Sequence, residues 1–344
     1  GSRPLKENID WGRIKSLAEN NKFKQLVKKG IEKDISKEAR RKYVRKVLSF
    51  IDITDIKPLT VVVNSGNGSA GPAFDAIEKK LLEKVNSLRF EKILHQPDGS
   101  FPNGVPNPIL PENWATTRQK VLEINADLGV AFDGDFDRCF FFDEKGRFVS
   151  GEYIVGLLAD LFLIKEPKGV ILYEPRVVWN IQDVIEKRGG VGVLSKTGHS
   201  FIKQAMRDNN AIYGGELSAH HYFRDFAFCD SGMITFLMVI ELLAKSRKPL
   251  SKIIDNRSED FISSGEINLT ISNHVQSLNK VFNYYEKKAL DVNLLDGLSM
   301  TFKDWRFNLR SSNTEPLVRL NIESKGKMPL LKRKLKEISQ ILTC

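Results

Sequence analysis

The sequence has 344 residues, 41% hydrophobic and 28% charged, enough to bury a sizeable core and to hold two or three domains. Its 53 Lys and Arg outnumber 43 Asp and Glu for a net charge of +10, but the basic residues are dispersed and lack interleaved aromatics. That pattern argues against a nucleic-acid partner and for a cationic cleft that takes an anionic small molecule. No run approaches the roughly 18 apolar residues of a membrane span, and no secretory signal is recognisable, so no membrane partner is expected. Cys139, Cys229 and Cys344 are too few and irregular for a disulfide frame or zinc site, which suits reduced thiols and a cytoplasmic location.

Residues 1–54 are highly charged and predicted helical, with Ile14, Leu17 and Ala18 on one apolar face and Tyr43, Val47, Leu48 and Ile51 on another. Two short helices cannot bury enough surface alone, so this segment is expected to pack on the next domain or on a part of a longer protein. The opening Gly1-Ser2-Arg3, without Met, fits such a fragment.

From 55 to 149 the pattern alternates: strand 59–64, helix 72–85, strand 89–94, helix 112–125, then another strand. Alternation of this kind predicts a βαβ domain with a largely parallel sheet. Gly66, Gly68 and Gly71 match GxGxxG, and Glu91 follows about 20 residues on, the dinucleotide fingerprint of an NAD-dependent dehydrogenase. Tight turns into helices also need glycine, however, and Ile93 and Leu94 continue the second strand past Glu91, where a Rossmann acid should end it.

The most informative stretch is 126–146. An apolar run, 128–132, breaks into Asp133, Asp135 and Asp137, followed by Arg138, a second apolar run at 139–142 and a turn. Carboxylates this crowded repel one another unless a cation neutralises them, and hard oxygen ligands on a short loop suit Mg²⁺. A solvated acidic turn is the plain alternative. An EF-hand is excluded, because its sixth position would be Arg138 instead of Gly and its second half is apolar.

Residues 150–258 repeat the βα theme, with helices at 152–164, 178–186 and 232–244 and strands at 170–173, 191–194 and 211–214. Two polar loops interrupt it, Ser195-Lys196-Thr197-Gly198-His199-Ser200 and Gly215-Glu216-Leu217-Ser218-Ala219-His220-His221. Ligands bind beyond the carboxyl ends of such strands. From 259 the character changes to an antiparallel α+β module: a strand through Ile267, Leu269 and Ile271, a helix at 275–290, strands at 298–302, 305–309 and 317–322, and a helix from Pro329. Its loop 310–316 gathers the Arg310 guanidinium with the hydroxyls of Ser311, Ser312 and Thr314, groups that can cradle a phosphate.

Taken in order, the DGDFDR, KTGHS, GELSAHH and RSSNTEP loops resemble those of the α-D-phosphohexomutases over about 55–344. The runs HQPDGSFPNGVPNP and AHHYFRDFAFCDSG resemble the bacterial phosphomannomutase branch. The resemblance implies tandem mixed-sheet βα domains followed by a C-terminal α+β domain, all lining one cleft. Residues 1–54 would end a first domain, 55–149 carry the metal loop, 150–258 the sugar loop and 259–344 the phosphate loop.

It also implies an isomerase, an intramolecular phosphotransferase that interconverts mannose 6-phosphate and mannose 1-phosphate through a phosphoserine and a hexose 1,6-bisphosphate, upstream of GDP-mannose. Mg²⁺ would sit on Asp133, Asp135 and Asp137, with Arg138 on the transferring phosphoryl group. Glu216, Ser218 and His220 would hold sugar hydroxyls, and Gly198 and His199 would line the cleft, His199 as acid/base. Arg310, Ser312, Asn313 and Thr314 would bind the non-reacting phosphate, and Arg176 would be a basic cleft residue. For His221 a structural role is expected.

Two departures stand out. Phe136 replaces the second Gly of the usual DGDGDR, and no TASHNP-like loop carries a nucleophilic serine; Ser65 and Ser200 belong to other matched loops. These residues alone are therefore expected to bind phosphosugar without turning it over. The alternatives are a phosphoglucomutase or dual-specificity enzyme, the dehydrogenase, and a non-catalytic phosphosugar-binding fragment.

Overall fold

The computed structural model describes residues 5, 7–24, 30–54, 56–246, 248–271, 274–311 and 317–343. Their architecture is three five-stranded sheets in sequence, each with its own helices. Ahead of them lie α1 (Gly12–Glu19), exposed throughout, and α2 (Ser36–Leu48), which buries Val44 and Val47 against the first unit.

The first unit comprises β1 (Leu59–Asn64), α3 (Ala70–Leu82), β2 (Leu88–Ile93), α4 (Ala115–Glu123), β3 (Leu128–Phe132), β4 (Cys139–Phe142) and β5 (Phe148–Val149). Its strands lie in the order β2-β1-β3-β4-β5. The β2-β1-β3 part is parallel as the alternation predicts, but β4 and β5 return antiparallel, so the sheet is mixed. Every residue of β3 and β4 is buried, which is why both read as unbroken apolar runs.

The second unit repeats the plan with α5 (Gly151–Lys165), β6 (Val170–Tyr173), α6 (Trp179–Arg188), β7 (Val191–Leu194), α7 (His199–Asp208), β8 (Tyr213–Gly215), β9 (His221–Phe223), β10 (Cys229–Asp230), α8 (Gly232–Ser246) and α9 (Leu250–Asp260). In its sheet, β10-β9-β8-β6-β7, the parallel β7-β6-β8 again turns antiparallel at a hairpin. The hairpins β3–β4 and β8–β9 are thus equivalent points of two related sheets, and they carry residues 133–138 and 216–220. Both units share one apolar core. Helix α8 is the wedge between them: its Phe236 packs edge-on against Phe74 and Phe132 of the first unit, with ring centres 5.8 and 5.9 Å away.

The third unit has a separate core and an antiparallel sheet, β11-β15-β14-β13-β12. It is built from β11 (Phe261–Thr270), α10 (His274–Tyr285), β12 (Asp291–Asn293), β13 (Leu298–Thr301), β14 (Trp305–Ser311), β15 (Leu317–Lys325) and α11 (Met328–Thr343). The buried Arg306 fastens it to the second unit by pairing with Glu323 and donating to the Pro175 carbonyl at 2.9 Å.

Backbone proximity also settles what the glycine-rich turn does. A Cβ on Gly68 would sit 2.5 Å from the Gly134 carbonyl oxygen, and the Ser69 N–H donates to that oxygen at 2.9 Å. A Cβ on Gly71 would sit 2.0 Å from the His95 carbonyl oxygen. Backbone therefore occupies the place at the start of α3 where a pyrophosphate would lie, and Glu91 points to solvent from the middle of β2. These glycines hold the acidic hairpin in place. Gly68→Ala should destabilise the chain by about 1–3 kcal/mol, read as a lower urea midpoint at unchanged m-value; an unshifted midpoint would show that the turn does not hold the hairpin.

Candidate active site

The acidic hairpin leaves β3 with Asp133 buried, Asp135 exposed and Asp137 half-buried. One oxygen from each comes within 4.8 Å of the others. Arg138 folds back on Asp133, donating its backbone N–H at 3.1 Å to one oxygen and Nε–H at 2.7 Å to the other. Asp137 has less relief: its Oδ1 is buried with no hydrogen-bond partner among the described residues and lies 3.9 Å from Arg138 Nε. Burial and then the charge of Asp133, with smaller contributions from Asp230 and Asp135, push its carboxyl up to about 7 against the pull of His220. An orphaned oxygen beside two further carboxylates fits a divalent cation, which would satisfy it and offset the crowded charge.

Phe136, the residue that departs from the expected glycine, adopts φ 53°, and Ala219 of the other hairpin adopts φ 68°. Left-handed backbone at a residue with a Cβ costs about 1 kcal/mol or more. Phe136 offsets this by packing its ring on the shared core.

The second hairpin meets the first. His220 Nδ1 lies 3.7 Å from Asp137 Oδ2 and 3.1 Å from Asp230 Oδ2. His199, at the start of α7, brings Nδ1 to 3.3 Å from the same Asp230 oxygen and Nε2 to 3.3 Å from His220 Nε2. Burial and the neighbouring His220 lower His199 to about 4, against the pull of Asp230, so it is neutral at pH 7. Asp230 is buried, which by itself would raise its pKa. The His220 hydrogen bond, His199 and Lys203, whose Nζ is 3.0 Å away, outweigh that and hold it well below the usual range.

Glu216 is buried and fully engaged, accepting from the Gly198 N–H at 2.7 Å and the Tyr222 hydroxyl at 2.6 Å. In this conformation it ties the two loops of the second unit together, while Ser218 lies half-buried at the hairpin tip. His221 is buried beneath, 2.7 Å from the Tyr213 hydroxyl, and burial lowers its imidazole to about 3.

Arg176 is also buried. Its Nε donates to Glu174 at 2.8 Å and its Nη1 to Glu266 at 2.9 Å. Arg310 lies at the edge of the third unit, with Nη1 3.6 Å from Asp296. Asp296 also accepts the Thr197 N–H at 3.3 Å, so this loop reaches the KTGHS loop. The Arg310 Nε is buried with no partner among the described residues, and burial, then the charge of Arg176, lowers its pKa. An unused guanidinium donor is what an anion would complete. Ser312, Asn313 and Thr314 lie outside the described residues.

One contact path therefore joins Asp137, His220, His199 and Asp230, and another joins Gly198 through Thr197 and Asp296 to Arg310. Sequence reasoning missed Glu174, Lys203, Asp230 and Asp296. Asp230 stands inside a run already singled out, AHHYFRDFAFCDSG, and Glu174 lies two residues before Arg176, whereas Asp296 has no local signal.

Two mixed sheets whose hairpins meet, joined to an antiparallel module, define a multidomain α/β architecture. The chain belongs to the phosphoglucomutase/phosphomannomutase family: it matches alpha/beta/alpha domain II over 41–146, alpha/beta/alpha domain III over 150–261 and the C-terminal domain over 266–340. Among its relatives, a phosphomannomutase of Salmonella montevideo is 50% identical over 99% of this chain and 75% of its own length. A phosphomannomutase of Escherichia coli K12 is 48% identical over the same shares. A crystal structure of a phosphoglucomutase/phosphomannomutase family protein from Burkholderia thailandensis superposes with a TM-score of 0.82 at 28% identity, over 98% of this chain and 70% of that one.

The Asp137 environment gives a pH test. Folded, Asp137 keeps its proton to about 7; its ordinary value is 3.8. The folded state thus binds more protons between these values, and stability falls as pH rises through that window. With a chelator present, Asp137→Asn should stabilise the chain at pH 8 and bring little change at pH 4, as read from urea midpoints. An equal effect at both pH values would mean that the folded carboxyl is not raised.

Proposed function

We propose that the protein of which these residues form part is a Mg²⁺-dependent phosphomannomutase, interconverting mannose 6-phosphate and mannose 1-phosphate. The observation that carries this reading is the meeting of the acidic hairpin with the His199–His220 pair, beside a third unit whose Arg310 Nε has no partner among the described residues. The names of the relatives at 48–50% identity support mannose as the sugar. The same relationship supports a role upstream of GDP-mannose. Free thiols at Cys139 and Cys229 are consistent with a cytoplasmic site, and among the described residues no helix is long and apolar enough to cross a membrane.

In this reading Arg310, with Ser312, Asn313 and Thr314, holds the phosphate that does not react. Glu216, Ser218 and His220 contact sugar hydroxyls, which requires Glu216 to exchange one of its present partners. His199, neutral at pH 7, is able to accept a proton at a ring nitrogen. Arg138 donates its Nε–H to Asp133 and presents its remaining N–H groups to the transferring phosphoryl group. Mg²⁺ held by Asp133, Asp135 and Asp137 would offset negative charge on that group. The phosphoryl-carrying serine of the family loop is not among these residues.

Mannose 1-phosphate or glucose 1,6-bisphosphate should raise the melting temperature of the 344-residue chain, whereas NAD⁺ should not. Arg310→Ala should weaken phosphosugar binding about 10- to 100-fold, the worth of a charge-assisted contact. A shift with NAD⁺ alone would return the glycine turn to candidacy. A coupled assay for mannose 6-phosphate should find no turnover by these residues alone, and turnover free of host enzyme would identify another phosphoryl carrier within them.

A further inference from the structure

The geometry points to a second cation site, built from Asp137, His199, His220 and Asp230 and selective for a transition-metal ion of the Zn²⁺ class. This does not depend on the activity proposed above. The four side chains come from different places in the chain: Asp137 from the first hairpin, His220 from the second, His199 from the start of α7 and Asp230 from β10. Each offers a ligand atom within 4.8 Å of the others.

Donor chemistry separates this group from the acidic hairpin. Three carboxylates suit a hard ion that prefers oxygen, whereas two imidazoles with two carboxylates suit a borderline ion. Spacing agrees. A tetrahedral ion with bonds of about 2.0–2.1 Å holds its ligand atoms roughly 3.3 Å apart. Here His220 Nδ1 is 3.1 Å and His199 Nδ1 3.3 Å from Asp230 Oδ2, and Asp137 Oδ2 is 3.7 Å from His220 Nδ1.

Two imidazole nitrogens thus converge on one carboxylate oxygen, and a second carboxylate oxygen lies alongside. An ion there would replace the N–H protons that now fill the gap, and each ring would carry its proton on Nε2. The two Nε2 atoms are 3.3 Å apart, too close for two N–H groups to face each other. The His199 side chain is 43% exposed, so it has room to shift as a whole and carry its Nε2–H away from His220 while Nδ1 stays toward Asp230. Two carboxylates and two neutral imidazoles also balance a divalent charge.

The surroundings are those of a prepared site. Lys203 Nζ holds the other oxygen of Asp230 at 3.0 Å and leaves Oδ2 facing the imidazoles. Fixing a ligand carboxylate from behind in this way raises affinity. Asp137 divides its oxygens similarly: Oδ2 faces His220, while Oδ1 lies on the Arg138 side, 3.9 Å from Nε. An ion bound to all four would staple the two hairpins together and occupy both imidazoles. Zn²⁺ would therefore act as a stabiliser of the fold and as a block on any proton transfer by His199 or His220.

Co²⁺ titrated into the 344-residue chain gives the direct readout, because a tetrahedral Co²⁺ centre absorbs in the visible far more strongly than an octahedral one. We expect an intense band that saturates with one ion, is displaced by Zn²⁺ and persists in excess Mg²⁺. His199→Gln and Asp230→Asn should each weaken it by at least the roughly 10- to 100-fold that loss of an outer-shell partner costs, and Asp135→Asn should leave it intact. Circular dichroism checks folding, and the part-exposed His199 is the safer variant should Asp230→Asn unfold. No intense band, displacement by Mg²⁺, or loss in Asp135→Asn with retention in His199→Gln would each overturn the assignment.

Discussion

The loops of the cleft take their positions from one buried ion pair, Glu174 with Arg176. Glu174 opens the turn after β6 with no exposure, and four donors converge on its two oxygens: the Arg176 N–H at 3.2 Å and Nε–H at 2.8 Å, the Thr197 hydroxyl at 3.0 Å and the Leu217 N–H at 2.9 Å. Burial alone would raise this carboxyl, yet the Arg176 charge and the hydrogen bonds prevail and lower it. The pair therefore fixes the KTGHS and GELSAHH loops relative to each other. Through the Arg176 contact to Glu266 it also fixes them relative to the third sheet. A buried pair of this kind is weak as a source of net stability, but breaking it by removing one partner typically costs about 3–5 kcal/mol. Its value here is positional.

The second constraint is topological. Each α/β unit reverses from parallel to antiparallel at its third strand, and the reversal needs a hairpin at the carboxyl end of the parallel strands, where ligands bind. The acidic loop and the GELSAHH loop are thus the same structural event in two units. Their strained residues, Phe136 and Ala219, occur at comparable points of the two turns. Helix α8 then sets the distance between the hairpins. A Cβ on Gly232, at its start, would lie 2.7 Å from the Phe136 carbonyl oxygen, so that position is closed to any larger residue.

Much of this was legible in the sequence, because buried strands such as β1, β3 and β4 are apolar runs and the loops between them carry recognisable chemistry. What escaped has physical reasons. The start of β11 is hidden by Ser263, Ser264 and Gly265, which bulge where the register with β15 shifts. The helix expected to reach 290 stops at Tyr285, because Leu290, taken as its last apolar position, leads into β12 and is mostly exposed. The strands β9 and β10 are too short to show a period. Within the site, periodicity could place His199 and His220 on loops but not show that Asp230 receives both. Nor could it show that Glu216 is spent on Gly198 and Tyr222. Such pairings depend on tertiary approach, on which local pattern is silent.

The function proposed above requires a ligand to be accepted both ways round, and the charges of these loops bear on that. One end is a concentration of carboxylates, where burial and then the charge of Asp133 push the Asp137 carboxyl up to about 7. The other end holds Arg176, paired with Glu174 and Glu266, and Arg310 beside Asp296, where burial first and then the Arg176 charge lower the Arg310 pKa. Between them lies a lowered, uncharged imidazole, His199. In the function proposed above, a sugar bearing phosphates at both ends would place one at the cation-loaded acidic hairpin, one at Arg310 and its hydroxyls between them. Reversing such a ligand exchanges two phosphates of like charge and leaves the electrostatic match unchanged. A cleft with two charged poles and a neutral centre can therefore be indifferent to direction, provided that the middle loops tolerate both faces of the sugar. The fixed frame around Glu174 and the engaged Glu216 make the tip of the second hairpin, Ser218 and His220, the place where that tolerance has to reside.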